Sequence, residues 1–114
     1  MSAEYKNREI GHVTIVDCIG RITLGEGAEG LKYHIRQLVS SQRKEIIINL
    51  ADTSYIDSSG IGELTSGFMN VANVGGSVKL LSLSKRVKAL LQITKLYSVF
   101  EVFDDEAAAI RSFR

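Results

Sequence analysis

Residues 45–50 read EIIINL, and three consecutive isoleucines, Ile46 to Ile48, constrain this chain more than any other stretch. Successive side chains of a strand point to opposite faces of its sheet. Three apolar neighbours in a row therefore need apolar cover on both faces. That is the situation of a buried, parallel-type strand inside an α/β domain, with helices supplying the cover. The 114 residues fit a single domain spanning 1–114. With 45% hydrophobic residues it can form a real core, and a chain of this size buries roughly two thirds of its unfolded surface.

The flanking patterns provide the expected partners. Tyr5 to Ile10 reads as a polar strand, Gly11-His12 as a turn, and Val13 to Ile19 as a second strand, so a hairpin opens the fold. Gly20 interrupts, and Arg21 to Leu24 is a short extended piece. From Gly27 a helix places Leu31, Ile35, Leu38 and Val39 on one face, opposite Lys32, Arg36 and Gln37. After the isoleucine strand, a helix over about Ser58 to Val74 aligns Ile61, Leu64, Phe68, Val71 and Ala72 before Asn73, Gly75 and Gly76 end it. Val78 to Leu83 is a strand. Ser84 caps a third helix with Val87, Leu90, Leu91 and Thr94 on one side. Val99 to Phe103 is a short strand, and Asp104-Asp105 precede a last helix, EAAAIRSF, at its positive end. The expectation is an α/β domain with a mixed sheet of about four to five strands and about four helices. The chain has no proline, so every element can run uninterrupted.

Composition removes several functions. A net charge of +1 indicates neither a nucleic-acid binder nor a polybasic membrane binder. No stretch approaches the ~18 apolar residues of a membrane span. The polar start, MSAEYKNREI, lacks a signal peptide's apolar core, which implies a cytoplasmic setting. The single cysteine, Cys18, excludes an internal disulfide and a cysteine metal site. His12 and His34 have no second ligand at metal spacing, and no cofactor is expected.

Gly25-Glu26-Gly27-Ala28-Glu29-Gly30 matches G-x-G-x-x-G, with Asn49 and Asp52 near where a ribose-binding acid would lie. Glu26 and Glu29 would repel a pyrophosphate, and the chain cannot hold two mononucleotide-binding halves. The run reads as a glycine-rich lead into a helix. A serine hydrolase would need G-x-S-x-G, whereas the residues here are I-D-S-S-G without a histidine base. An enzyme is not expected. Lys85, Arg86, Lys88 and Lys95 read as a solvated basic face, with docking of an acidic partner as the alternative.

Asp57-Ser58-Ser59-Gly60-Ile61-Gly62 stands at the join between strand and helix. Locally, Asp57 or Ser58 can cap the helix, a contribution of about 1 kcal/mol, and Glu63 lies near its positive end. Two glycines in a first turn work against the helix at roughly 0.5–1 kcal/mol each, which suggests that something approaches the backbone closely there.

The wider stretch, INLADTSYIDSSGIGEL, resembles the signature of the STAS domain, in particular that of bacterial anti-sigma factor antagonists. The matching positions are Asn49, Leu50, Asp57, Ser58, Ser59, Gly60, Ile61 and Gly62. GRITLGEGAEGLKYHI is similar to the way the family leads into its first helix, and residues 76–110 are similar to its strand-helix-strand-helix ending. Asn49 stands where Asp is common. Thr53 stands where an aliphatic residue is usual, which implies a looser loop.

The resemblance implies a partner switch. The unphosphorylated antagonist binds an anti-sigma factor that is also a serine kinase, freeing a sigma factor for transcription. The kinase phosphorylates the second hydroxyl of the motif, here Ser59, and the complex separates. A serine phosphatase restores it. Asp57 would shape the loop, Ser58 would cap the helix, and Asp57 to Gly62 would form the partner-binding surface. An alternative within the family is a scaffold of a stress-sensing assembly or an accessory to a lipid transporter.

Overall fold

The computed structural model describes residues 3–95 and 98–113. Five strands, β1 (Glu4–Ile10), β2 (Val13–Ile22), β3 (Glu45–Ile56), β4 (Ser77–Leu81) and β5 (Val102–Phe103), form one sheet in the order β1-β2-β3-β4-β5. The helices are α1 (Glu26–Ser40) after β2, α2 (Ser58–Asn73) after β3, α3 (Lys85–Ile93) after β4 and α4 (Glu106–Arg111) after β5. The opening pair is the expected antiparallel hairpin, and the three other pairings are parallel.

β3 occupies the centre, and all three of its isoleucines are 0% exposed. Ile46 and Ile48 pack with Val16, Cys18 and Leu80 against Leu31 and Ile35 of α1, Leu64 and Val71 of α2, and Val87 and Leu91 of α3. Ile47 faces the other way and joins Val13, Ile15 and Leu81 beneath Ala109 of α4. One face thus carries three crossover helices and the other a single short one.

The short helix is fastened by polar contacts. The Lys79 ammonium, reaching from β4, donates to the Ser112 carbonyl at 3.1 Å and hydroxyl at 2.7 Å, and lies 4.3 Å over the Phe113 ring. A cation belongs at a helix C-terminus, where carbonyls are unpaired. From β1, Arg8 grips Asp17 at 2.6 and 2.9 Å and Glu106 at 2.8 and 3.2 Å, while Asn49 donates to Asp17 at 2.8 Å.

The structure corrects several expected boundaries. Gly20 bends β2 without ending it: φ is 103°, and the register with β3 shifts on both sides of this residue. The extra residues lie in β3, which advances three residues against two of β2 before Gly20 and two against one after it, so both strands keep going. β3 likewise continues six residues past Leu50, with Asp52 opposite Ile19, Thr53 opposite Gly20 and Ile56 opposite Ile22. Thr53 loosens nothing. It is 3% exposed, and its hydroxyl donates to the Cys18 carbonyl at 3.0 Å. β4 stops at Leu81, and β5 is confined to Val102–Phe103. Thr94 is the exposed C-cap of α3 rather than part of its packed face.

Candidate functional site

The continuation of β3 to Ile56 delivers Asp57 to the start of α2 at the C-terminal end of the sheet. Asp57 has extended backbone (φ −101°, ψ −174°) and is the N-cap. Its carboxylate is divided between two elements. Oδ1 accepts the Gly60 N–H at 3.0 Å, within α2, and Oδ2 accepts the Leu24 N–H at 2.9 Å, in the turn between β2 and α1. The Asp57 N–H donates to the Ile22 carbonyl at 3.2 Å, and its carbonyl accepts the Ile61 N–H at 2.9 Å. Burial raises the pKa of this carboxyl, but hydrogen bonds from the Gly60, Leu24 and Ser59 N–H groups outweigh it, so the net shift is downward. Asp57 is therefore ionised at neutral pH.

Asp57, not Ser58, caps the helix. Ser58 is the first helical residue and is exposed, and Ser59 follows, half-buried. Glu63 lies beyond the first turn, which contains no acid. Gly60 is buried, and a Cβ there would collide with the Ile22 carbonyl and meet Ile56 Cγ1 at 2.6 Å. Close approach does explain this glycine, but the approaching backbone is the chain's own β2. Gly62 has nothing within 4 Å of its Cβ position and faces open space. Ile61 is 4% exposed and points into the core. Of the six motif residues, Asp57, Ser58, Ser59 and Gly62 therefore reach the surface.

The basic residues are partly gathered here. Arg86 of α3 lies 5.8 Å over the Tyr55 ring, and both line a cleft of about 380 Å³ with Arg21 and Ser54. Lys85 and Lys95 are exposed and Lys88 half-buried. The glycine-rich run packs tightly: a Cβ on Gly27 would sit 2.6 Å from the Arg21 carbonyl, and one on Gly30 would meet the Tyr5 ring at 2.8 Å. Asn49, considered as a ribose ligand, is committed to Asp17. His34 Nδ1 lies 2.9 Å from the Gly30 carbonyl, with its ring 5.1 Å from that of Tyr5, and His12 is exposed. Among the described residues no three His, Cys, Asp or Glu side chains gather as a metal set. Cys18 is buried, and burial pushes its thiol pKa up. No helix among the described residues is long and apolar enough to cross a membrane.

Sequence reasoning missed Leu24. It is 80% exposed, the highest value among the exposed large apolar side chains. Its signal was an apolar residue stranded between Thr23 and Gly25, outside any periodic pattern.

Comparison with known proteins places this geometry in context. The sequence pattern described as STAS domain matches residues 4–109. An anti-sigma-B factor antagonist of Bacillus subtilis (strain 168) is 38% identical over 64 residues, covering 56% of this chain and 59% of that protein. A Thermotoga maritima protein, described as a candidate anti-sigma factor antagonist, superimposes with a TM-score of 0.88 at 20% identity, covering 95% of this chain and 92% of the other. The anti-sigma factor antagonist SpoIIAA, solved unphosphorylated, gives 0.74 at 20% identity, covering 97% and 98%. The same protein from Bacillus, phosphorylated, gives 0.77 at 20% identity, covering 97% and 100%. These structural likenesses establish the fold. The proteins named are regulators rather than enzymes.

Proposed function

This chain belongs to the STAS domain family, and from that premise we propose that it is a cytoplasmic anti-sigma factor antagonist switched by phosphorylation of Ser59. Its partner is an anti-sigma factor that doubles as a serine kinase. Binding that partner releases a sigma factor for transcription, and a serine phosphatase reverses the modification. The observation that carries the reading is Ser59 itself: a hydroxyl in the first turn of the 16-residue helix α2, beside exposed Ser58 and open Gly62, in a chain whose relatives are named antagonists.

The chemistry fits the position. The kinase transfers the γ-phosphoryl group of ATP: a bond forms between Ser59 Oγ and phosphorus, the bond to the β-phosphate oxygen breaks, the hydroxyl proton passes to a base of the kinase, and ADP leaves. The product adds about −1.5 to −2 charges at pH 7. Helix N-termini tolerate anions, because free N–H groups and the helix dipole face them. That phosphorylated and unphosphorylated SpoIIAA both superimpose on this chain supports a modification that the fold survives.

The test is to incubate the protein with ATP and the serine-kinase anti-sigma factors encoded beside its gene, then map the phosphate by mass spectrometry. Phosphate on Ser59, and none on a Ser59→Ala variant that still binds the kinase, is the expected result. Phosphate mainly on Ser58, Ser54 or Thr53 overturns the assignment.

A further inference from the structure

The end of β2 with its following turn and the start of α2 are separate in sequence but joined by three contacts, two at Ile22 and one at Leu24. The Asp57 N–H holds the Ile22 carbonyl, the Leu24 N–H is held by Asp57 Oδ2, and the absent side chain of Gly60 lets α2 sit directly on Ile22. Gly25, at the end of the turn, has φ 99° and gives α1 no side-chain cap. The turn is held by the Ala28 N–H on the Thr23 carbonyl at 2.9 Å and by the Asp57 carboxylate on the Leu24 N–H at 2.9 Å, and of the two only Asp57 ties it to α2. A leucine on a free loop is unremarkable on a protein surface. A leucine projecting 80% exposed from a backbone that is hydrogen-bonded to the modifiable helix turn is positioned.

We infer that Leu24 and the first turn of α2 form one docking face, in which Leu24 is an apolar anchor that Asp57 presents and phosphate on Ser59 releases. This rests on the reading of Ser59 as the modified residue. The occupant is the kinase partner, and it must offer an apolar pocket beside the hollow that receives Ser58 and Ser59. Continuity selects this occupant: a protein that reaches Ser59 covers the residues hydrogen-bonded to Asp57. The release follows from charge. A phosphate on the second helical residue competes for the same first-turn N–H groups as the Asp57 carboxylate and repels it. Asp57 is a positioning residue here, acting through the Leu24 backbone.

Two measurements test this. The first needs no partner. Amide hydrogen exchange at Leu24 is followed by NMR in the wild type, in Asp57→Ala, and in protein carrying genetically encoded phosphoserine at 59. The Leu24 amide exchanges at least about tenfold faster in both altered forms, by loss of its acceptor, while the β3 core amides of Ile46 to Ile48 stay protected. Unchanged exchange at Leu24 in the phosphorylated form overturns the release. The second uses the serine kinase that phosphorylates Ser59. Leu24→Ser weakens its binding at least about tenfold, as truncating an interface anchor does. Ile93→Ser, which alters an equally apolar side chain 76% exposed on α3, leaves binding within about twofold. Equal binding by Leu24→Ser and wild type overturns the anchor. A kinase that modifies another serine defeats the reading of Ser59 and leaves the exchange measurement to decide the clamp.

Discussion

Gly60 and Gly62 lie two residues apart in α2, yet a methyl group on each meets different surroundings. At Gly60 it strikes the Ile22 carbonyl and the Ile56 side chain, neither of which can move without shifting β2 or β3. Gly60→Ala is therefore expected to destabilise the fold by about 1–3 kcal/mol, the usual range for overpacking. At Gly62 the methyl enters open space within a helix, and Gly62→Ala should stabilise by roughly 0.5–1 kcal/mol through reduced backbone entropy in the unfolded chain. Urea unfolding of the two variants measures both signs, and a stabilised Gly60→Ala contradicts the packing described. Asp57→Ala removes a cap and should cost about 1 kcal/mol. The chemical identity of this cap was ambiguous in sequence, because Asp57 and Ser58 are both good N-caps. Only the extended backbone of Asp57 and its bond to the Gly60 N–H decide between them.

Among the elements, those with strong local signals were legible. Ile46 to Ile48 announced a central strand, the Gly11-His12 turn a hairpin, and Ser84 and Asp104-Asp105 their helices; Ser84 caps as expected, at 3.1 Å to the Val87 N–H, and Asp105, expected only as an acid at the positive end, is itself the cap, at 2.9 Å to the Ala108 N–H. The second half of β3 was not legible, because Ala51-Asp52-Thr53-Ser54 is polar and β4 ends before it, leaving pairing with β2 to hold it. Nor was the continuity of β2 through Gly20, since glycine in a strand pattern signals a break and an irregular pairing equally. The link between α4 and β1 spans 98 residues of sequence through Arg8 and Glu106 and has no local signature. It has a pH consequence. The Arg8 guanidinium beside Asp17 holds that carboxyl below its ordinary value against a smaller opposing effect of burial, and Asn49 adds to the lowering. A carboxyl whose folded pKa lies below its unfolded one stabilises the fold above the unfolded value and loses that contribution as pH falls toward the folded one. Stability should thus stay level from neutrality to about pH 4 and decline below it. Asp17→Asn should start modestly less stable at pH 7, by ~1 kcal/mol or less for a half-exposed pair, and show a shallower acid decline. An acid limb as steep as that of the wild type rejects the assignment.

At the scale of the whole molecule, the sheet acts as a rigid platform. β2 and β3 end together and present Asp57, Ser58 and Ser59 at the C-terminal end of the sheet, while the core lies behind them. A charge added there meets a helix N-terminus and should change stability little, within the ~0.3–1 kcal/mol that such termini give an anion. The same charge carried into an interface without a partner costs several kcal/mol. Under the proposed function, phosphorylation of Ser59 therefore acts on binding and leaves folding alone. The deciding measurement is the dissociation constant of the serine-kinase partner for unmodified and Ser59-phosphorylated protein, taken beside the unfolding midpoint of each. The expected result is a midpoint little changed, the anion at the helix N-terminus offsetting what Asp57 gives up, and an affinity weakened by about a hundredfold or more. Equal affinity of the two forms, or a phosphorylated form that has lost its tertiary structure, contradicts it.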